Sequence, residues 1–436
     1  MSSSDDAPLA NALKKIVGSG AIHTVGDVPF FLPEIDVEGI GELALPLSTS
    51  GAEDLSEAAE TAPYGKGEET LVDEEIRKCW QVDADDFDLL APAWDDLLKV
   101  AIKDLKDAMG VAGKVTAEPY KLLLYGEGGH FLPHKDTEKV DQMFGSLIVA
   151  IPSAHTGGEL VINHPGHEEV VVKFDSKEGL RRMQYVAFFA DCLHEVKPVT
   201  SGYRLVVAFN LVLATRSTAE RLNPPPQAQV DLLRPHLREL RSGFLSDPVA
   251  VLLDHGYTEK GFSVKGLKGS DRARAKALFG AAKAEELVAH LGLVTMYQMG
   301  ELAPDGYQRW DDDEEESDAE MGEVYEESLT ISHWRTPADK TAKISKFPIG
   351  EEDLISTQEL AAGEPHEKEW EGYTGNAGCT VEHWYRRAAV VLWPKERELH
   401  VMASKDLRGA IEKLTSSAKG SKRRANAMCR HIATKS

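Results

Sequence analysis

Three residues of metal-binding types occur in an order that could bring them to one point. His134 and Asp136 are separated by one residue, and His194 follows in a later segment. Side chains two positions apart in an extended segment point to the same side, so His134 and Asp136 can face a common point. His194, from a later strand, can complete the set. These ligands would hold an octahedral divalent metal and leave three of its positions open.

The open positions and a nearby arginine indicate which chemistry the set would perform. Two histidines and one carboxylate are typical of non-haem Fe(II) oxygenases, in which a co-substrate and O₂ both bind the iron. Arg204 lies ten residues after His194, in the otherwise apolar segment 203–209. A charge there is costly unless an anion pairs with it. The distal carboxylate of an α-keto dicarboxylate would pair with Arg204 in bidentate fashion, while its keto-acid end chelates the iron.

The histidine-x-aspartate pattern alone often occurs by chance, because both residues are common in turns. Its combination with a distal histidine, an arginine and intervening β-type segments is more specific and favours a functional site. His155, His164 and His167 lie beside turn residues, and we predict surface-loop histidines there instead of a second metal site. We predict that Cys192 is a small packing residue and not a ligand.

The segment between residues 120 and 213 must form the strands that position this set. Short apolar runs rich in Val, Ile, Phe and Tyr alternate there with turn residues such as Gly157-Gly158. The runs are 121–125, 147–151, 159–162, 170–174, 185–189, 193–196 and 204–213. So many short strands in about 100 residues predict a sandwich or a closed barrel.

Helical patterns flank these strands on both sides. Apolar residues recur at spacings of three and four in 92–109 and again after Pro226, and 271–293 is also predicted to be helical. Residues 311–327 hold eleven acidic residues and no Lys or Arg, which predicts a solvated, disordered insert. The apolar run within 382–394 predicts a buried strand.

Charge and cysteine content exclude several classes of protein. The 436 residues carry 49 Lys+Arg and 72 Asp+Glu, a net charge of −23, which argues against broad binding to nucleic acid or anionic membranes. The tail 403–436 has a net charge of +7, so a local contact through this tail stays open. Four scattered cysteines without a CxxC pair argue against a disulfide scaffold or a zinc ribbon.

The sequence also indicates where the protein works. It shows no secretory signal and no apolar run of about 18 residues, so we expect no membrane span and a cytoplasmic location. The basic cluster Lys422-Arg423-Arg424 leaves a nuclear address open.

Over about residues 115–215, the chain resembles the 2-oxoglutarate/Fe(II) dioxygenases, and most closely their prolyl 4-hydroxylase-like branch. The segment Gly157-Gly158-Glu159-Leu160 resembles the Gly-Gly turn of that branch. His194 matches its distal histidine, and Arg204 matches its co-substrate anchor, where collagen-type prolyl hydroxylases usually have lysine. The first iron-binding strand of the family is matched by Tyr125-Gly126-Glu127-Gly128-Gly129-His130-Phe131-Leu132-Pro133-His134-Lys135-Asp136.

The resemblance implies a double-stranded β-helix (jelly-roll) core. Together with the flanking patterns, it predicts an α+β protein in which this core is accompanied by helical flanking regions and an acidic, disordered insert. It implies Fe(II) held by His134, Asp136 and His194, with 2-oxoglutarate as co-substrate, O₂ as oxidant, and release of succinate and CO₂. Arg204 would anchor 2-oxoglutarate, and Tyr125 would donate a hydrogen bond to it. The predicted regions are an N-terminal helical/mixed support (1–112), the dioxygenase domain (113–215), a helical region (216–300), an acidic linker (301–375) and a C-terminal segment with the basic tail (376–436).

Three functional hypotheses follow from the sequence. The first is a hydroxylase that acts on a C–H bond of a protein, with proline as one candidate residue. The second keeps the chemistry but acts on a small molecule. The third is a non-catalytic scaffold that uses segments 311–327 and 403–436 for interaction, and the presence of all four site residues argues against it.

Overall fold

The computed structural model of the chain separates into two compact units. One comprises residues 19–220, here called the barrel unit, and the other comprises residues 1–18 and 221–436, here called the second unit. The structure describes residues 8–16, 20–66, 69–111, 113–136, 140, 142–165, 167–174, 181–213, 225–243, 248–260, 262–302, 321–357, 359–361, 365–371, 380–405 and 411.

The barrel unit is built mainly from strands. The first element of the chain, the helix α1 (Pro8–Lys14), precedes them in sequence and belongs to the second unit. Its two helices are α2 (Thr49–Ala58) and α3 (Ala93–Met109). Its strands are β1 (His23–Pro29), β2 (Ile35–Val37), β3 (Gly41–Glu42), β4 (Glu60–Thr61), β5 (Tyr64–Lys66), β6 (Glu69–Leu71), β7 (Arg77–Lys78), β8 (Trp80–Asp83), β9 (Phe87–Leu89), β10 (Val115–Tyr125), β11 (His130–His134), β12 (Met143–Ile151), β13 (His155–Gly157), β14 (Leu160–Asn163), β15 (Val170–Val172), β16 (Arg182–Phe189), β17 (Leu193–Val196), β18 (Val199–Gly202) and β19 (Arg204–Leu213).

Two antiparallel sheets form the core of this unit. Within the described residues, one has seven strands in the order β1-β16-β12-β19-β10-β8-β4, and the other has five in the order β15-β14-β17-β11-β7. Buried side chains of both sheets, such as Leu147 and Val207 from the first and Ile162 and Val196 from the second, belong to one apolar cluster. This arrangement confirms the predicted double-stranded β-helix core with strands and helices mixed.

Local sequence explains a central strand of the seven-stranded sheet and the helix that packs against other strands of the same sheet. In β19, the nine residues from Arg204 to Val212 are all buried, as a continuous apolar run in a central strand requires. In α3, the residues Trp94, Leu97, Ala101 and Leu105 are buried on one face. Gly110 ends this helix in the left-handed conformation, which glycine adopts without a steric penalty.

The second unit holds one large sheet with helices beside it. Its helices after α1 are α4 (Gln227–Gly243), α5 (Gly269–Ala284) and α6 (Glu398–Lys405). Its strands are β20 (Val249–Gly256), β21 (Leu287–Leu302), β22 (Met321–Arg335), β23 (Phe347–Pro348), β24 (Leu354–Ile355), β25 (Glu367–Glu371) and β26 (Thr380–Pro394). Among the described residues the sheet runs β23-β22-β21-β26-β20-β24, with β25 paired to β26. No helix of the described residues is long and apolar enough to cross a membrane.

The regions flanking the barrel contain more strand than their sequence patterns indicate. The predicted helical region 216–300 includes β20 and most of β21, and the predicted acidic linker 301–375 includes β22. Residues 321–327 of the acidic run lie in β22, where Glu326 and Glu327 are exposed, so the strand keeps these charges in water. Residues 303–320 and 412–436 lie outside the described residues.

Candidate metal centre

The structure brings the three predicted ligands together at the end of β11. His134 is the last residue of β11 and pairs directly with His194 of the neighbouring antiparallel strand β17. Their ring centroids are 4.2 Å apart. Asp136 follows β11 by two residues, and its Oδ1 lies 3.7 Å from Nε2 of His194. One potential ligand atom from each of the three lies within 4.8 Å of the others.

Backbone hydrogen bonds orient both imidazoles in the same way. Nδ1 of His134 lies 2.8 Å from the carbonyl oxygen of Leu132, and Nδ1 of His194 lies 3.0 Å from that of Cys192. A carbonyl oxygen can only accept, so each Nδ1 carries the proton and each Nε2 keeps a free lone pair. Metal-binding histidines typically have their second nitrogen fixed in this way.

The carboxylate of Asp136 is also held in place by a hydrogen bond. The hydroxyl of Ser146 on β12 donates to Oδ2 of Asp136, which leaves Oδ1 on the side of the histidines.

Burial and the neighbouring His194 hold the pKa of His134 well below its usual value of 6.5. His134 is therefore neutral near pH 7, which is the form that binds metals. Two imidazoles and a carboxylate fit a divalent iron ion, so His134, Asp136 and His194 would hold it.

Arg204 is a buried cation whose surroundings within the described residues offer no anion. It opens β19, is 2% exposed, and pairs across the sheet with Tyr125 at the end of β10. Its Nε has no hydrogen-bond partner among those residues. Its guanidinium carbon lies 5.2 Å from the ring centroid of Tyr125 and 5.6 Å from that of Phe174. An enclosed guanidinium edged by aromatic rings fits the distal carboxylate of 2-oxoglutarate.

Tyr125 is buried beside this arginine. It is 2% exposed, and burial raises the pKa of its hydroxyl, so the group stays protonated. A protonated phenol can donate one hydrogen bond. Its role as a donor to 2-oxoglutarate stays a prediction, which its place beside Arg204 supports.

Gly158 makes room for the arginine. Its φ is +71°, and a Cβ at this position would lie 2.8 Å from Cδ of Arg204 and 3.0 Å from Cγ2 of Val199. We expect Gly158→Ala to displace Arg204 and to weaken 2-oxoglutarate binding by about one to two orders of magnitude, measured by calorimetry. Gly39→Ala is the matched control, because Gly39 has a φ of +82° but nothing within 4 Å of its added Cβ. Equal losses in both variants would refute the steric explanation.

The structure adds residues that the motif does not contain. Ser146 orients Asp136, and Phe188 lies beside His194 with ring centroids 4.6 Å apart. The contact of Ser146 with Asp136 could have been suspected from the sequence, because Ser146 is the lone serine in the apolar strand β12.

The prediction of a surface position for His164 is wrong. It is 5% exposed, and its Nε2 lies 3.1 Å from Oδ2 of Asp191.

Comparison with known proteins places the site in a family. Residues 120–212 match the model of the 2OG-Fe(II) oxygenase superfamily. No curated protein matches the chain. Among solved structures, the chain is similar to a prolyl-4-hydroxylase from Pseudomonas putida at 18% identity and a TM-score of 0.28, covering 47% of this chain and 99% of that one.

A prolyl hydroxylase from Trichoplax adhaerens, in complex with a hypoxia inducible factor oxygen degradation domain peptide fragment, has 14% identity and a TM-score of 0.29. The match covers 49% of this chain and 91% of that one. At these identities and TM-scores, the family assignment rests on the family model. That model spans Tyr125, His134, Asp136, His194 and Arg204. Residues 120–212 therefore match the 2OG-Fe(II) oxygenase superfamily, and this segment with the site it carries identifies a 2-oxoglutarate-dependent dioxygenase that uses Fe(II), 2-oxoglutarate and O₂.

Proposed function

We propose that this enzyme hydroxylates a C–H bond of a protein substrate, with a prolyl residue as the first candidate. With iron bound, the reaction converts the C–H bond, O₂ and 2-oxoglutarate into a C–OH group, succinate and CO₂. His134, Asp136 and His194 hold the metal, and Arg204 holds the distal carboxylate of 2-oxoglutarate. Tyr125 donates a hydrogen bond to the same co-substrate.

The observation that carries this proposal is a gradient of exposure across the site. The arginine is 2% exposed, whereas the side chain of Asp136 is 27% exposed. The co-substrate therefore occupies the enclosed end, and the substrate C–H bond approaches the metal from the open end. Leu132 (45% exposed) and the exposed Pro133 directly precede His134 on β11, so apolar residues next to the first ligand in sequence are open to solvent. A peptide can lie across such a surface while one side chain reaches the metal.

The test is a search for products by mass spectrometry. The purified full chain, with Fe(II) and 2-oxoglutarate under O₂, is incubated with a library of proline-containing peptides and separately with a mixture of small metabolites. We expect a gain of one oxygen atom, about 16 Da, in a peptide and equimolar succinate. The His194→Ala enzyme is the control and should give neither product.

Each outcome separates the hypotheses. Hydroxylated peptides support the proposal, and hydroxylated metabolites alone would replace it with small-molecule oxygenation. Absence of any 2-oxoglutarate turnover, together with absence of metal binding, would leave the scaffold hypothesis.

A further inference from the structure

A layered set of side chains lies behind the first metal ligand. Arg77 on β7 and Phe131 on β11 are directly paired across their two strands. The guanidinium carbon of Arg77 lies 4.5 Å from the ring centroid of Phe131. The Phe131 ring stacks on the imidazole of His134, with centroids 3.4 Å apart and an interplanar angle of 22°. The order of contact is therefore arginine, phenylalanine, histidine.

An irregularity in β11 makes this stack possible. Residues three apart in a regular strand point to opposite faces of the sheet. The pairing register between β11 and β17 shifts between Phe131 and His134, so the two side chains lie on one side. Register shifts of this kind often redirect a side chain beside a functional site.

Arg77 is held by contacts that do not involve the ring. Its Nε donates to Sγ of Cys79 at 3.3 Å, and its Nη1 donates to the carbonyl oxygen of Pro63 at 2.5 Å. The residue is 8% exposed. A cation over an aromatic face is attracted to it more strongly when both are desolvated. Because Arg77 is held by Cys79 and Pro63 independently of the ring, it can fix the position of the Phe131 ring.

We propose that Arg77 and Phe131 form a positioning pair that fixes the ring plane of His134 for metal binding. This inference rests on the proposed function, because it takes His134 as an iron ligand. The hydrogen bond from Nδ1 to the carbonyl of Leu132 limits rotation of the imidazole in its own plane. Stacking limits its tilt, which the hydrogen bond controls poorly. In this proposal both members act through His134 and not directly on the metal or the substrate.

The experiment measures Mn(II) binding to the full-length protein by calorimetry. Phe131→Leu and Arg77→Met are each expected to weaken Mn(II) binding by about tenfold or more, the range found for partners that orient metal ligands. Arg77→Lys keeps a cation near the ring and should retain part of the affinity. Phe87→Leu is the matched control, because Phe87 is an enclosed phenylalanine of the same apolar core (6% exposed), on β9 opposite Val37.

A second readout separates positioning from general loss of stability. The visible absorption of the Co(II)-loaded protein depends on ligand geometry, and we expect it to change in Phe131→Leu and Arg77→Met but not in Phe87→Leu. Unchanged affinity and spectrum in the first two variants would overturn the inference, as would equal effects in Phe87→Leu. A wild-type protein that binds no Mn(II) would overturn the proposed function together with this inference. Failure of the inference alone is different, because the wild type then binds Mn(II) and the variants bind it equally well.

Discussion

The His134→Ala protein is expected to lose 2-oxoglutarate turnover and to bind Fe(II) at least two orders of magnitude more weakly than wild type. Removing only a partner that orients a ligand costs about 10- to 100-fold in metal affinity, and loss of a ligand costs more. The two remaining residues, Asp136 and His194, would leave the metal with one imidazole and one carboxylate. Succinate formation and calorimetry with Mn(II) measure the two effects.

His130→Ala is the matched control on the same strand. The ring of His130 lies 2.9 Å from the carbonyl oxygen of Gly128 through Nδ1 and 2.8 Å from that of Glu75 through Nε2. Both nitrogens have structural contacts, so this variant should lose stability but keep metal binding. In thermal unfolding, Mn(II) at 100 times its Kd should stabilise wild type and His130→Ala by about 2.7 kcal/mol. It should stabilise His134→Ala far less. Equal metal affinity in all three proteins would contradict the assignment of His134 as a ligand.

Arg204→Met should lose about 10²- to 10⁴-fold in 2-oxoglutarate affinity, since removing one partner of a buried charge pair costs about 3–5 kcal/mol. Without 2-oxoglutarate, the same change should leave the unfolding free energy unchanged or raise it. The reason is that Arg204 is 2% exposed and has no described carboxylate partner, so methionine removes an uncompensated buried charge. Calorimetry with the Mn(II)-loaded protein and chemical denaturation measure the two effects.

Arg274→Met provides the contrasting control. Arg274 of α5 is an enclosed arginine that does have an anionic partner, because its Nη1 donates to Oδ2 of Asp254. Its removal leaves the Asp254 carboxylate buried without its cation, so we expect clear destabilisation and unchanged 2-oxoglutarate affinity. A destabilised Arg204→Met protein that still binds 2-oxoglutarate would show that Arg204 has only a structural role.

The candidate ligands could be predicted because local rules determine how they are spaced. The alternation of an extended segment places His134 and Asp136 on one side, and a lone arginine in an apolar run signals a need for an anion. The structure brings His194 to them through antiparallel pairing of β11 and β17, as the ordered motif implied. Arg204 and Tyr125 meet through the pairing of β19 and β10.

The flanking regions were less predictable because their strands depend on partners that are distant in sequence. The buried strand predicted within 382–394 is the strand β26, which lies between β21 and β20 in the sheet. The acidic residues of β22 have no pattern of their own that indicates a strand. They lie in one because β21 pairs with them. Pairing of this kind overrides local propensity.

The sequence by itself determined the chemistry of the site: two histidines, an aspartate and an arginine, in the order and spacing of an Fe(II)/2-oxoglutarate oxygenase. Only the tertiary structure decided how these groups are held. The hydroxyl of Ser146 behind Asp136, the stack of Arg77 and Phe131 behind His134, and the space that Gly158 leaves for Arg204 all join separate strands. Such contacts depend on strand register and packing, which are set by the whole sheet. No repeating pattern of residue types within one segment indicates them.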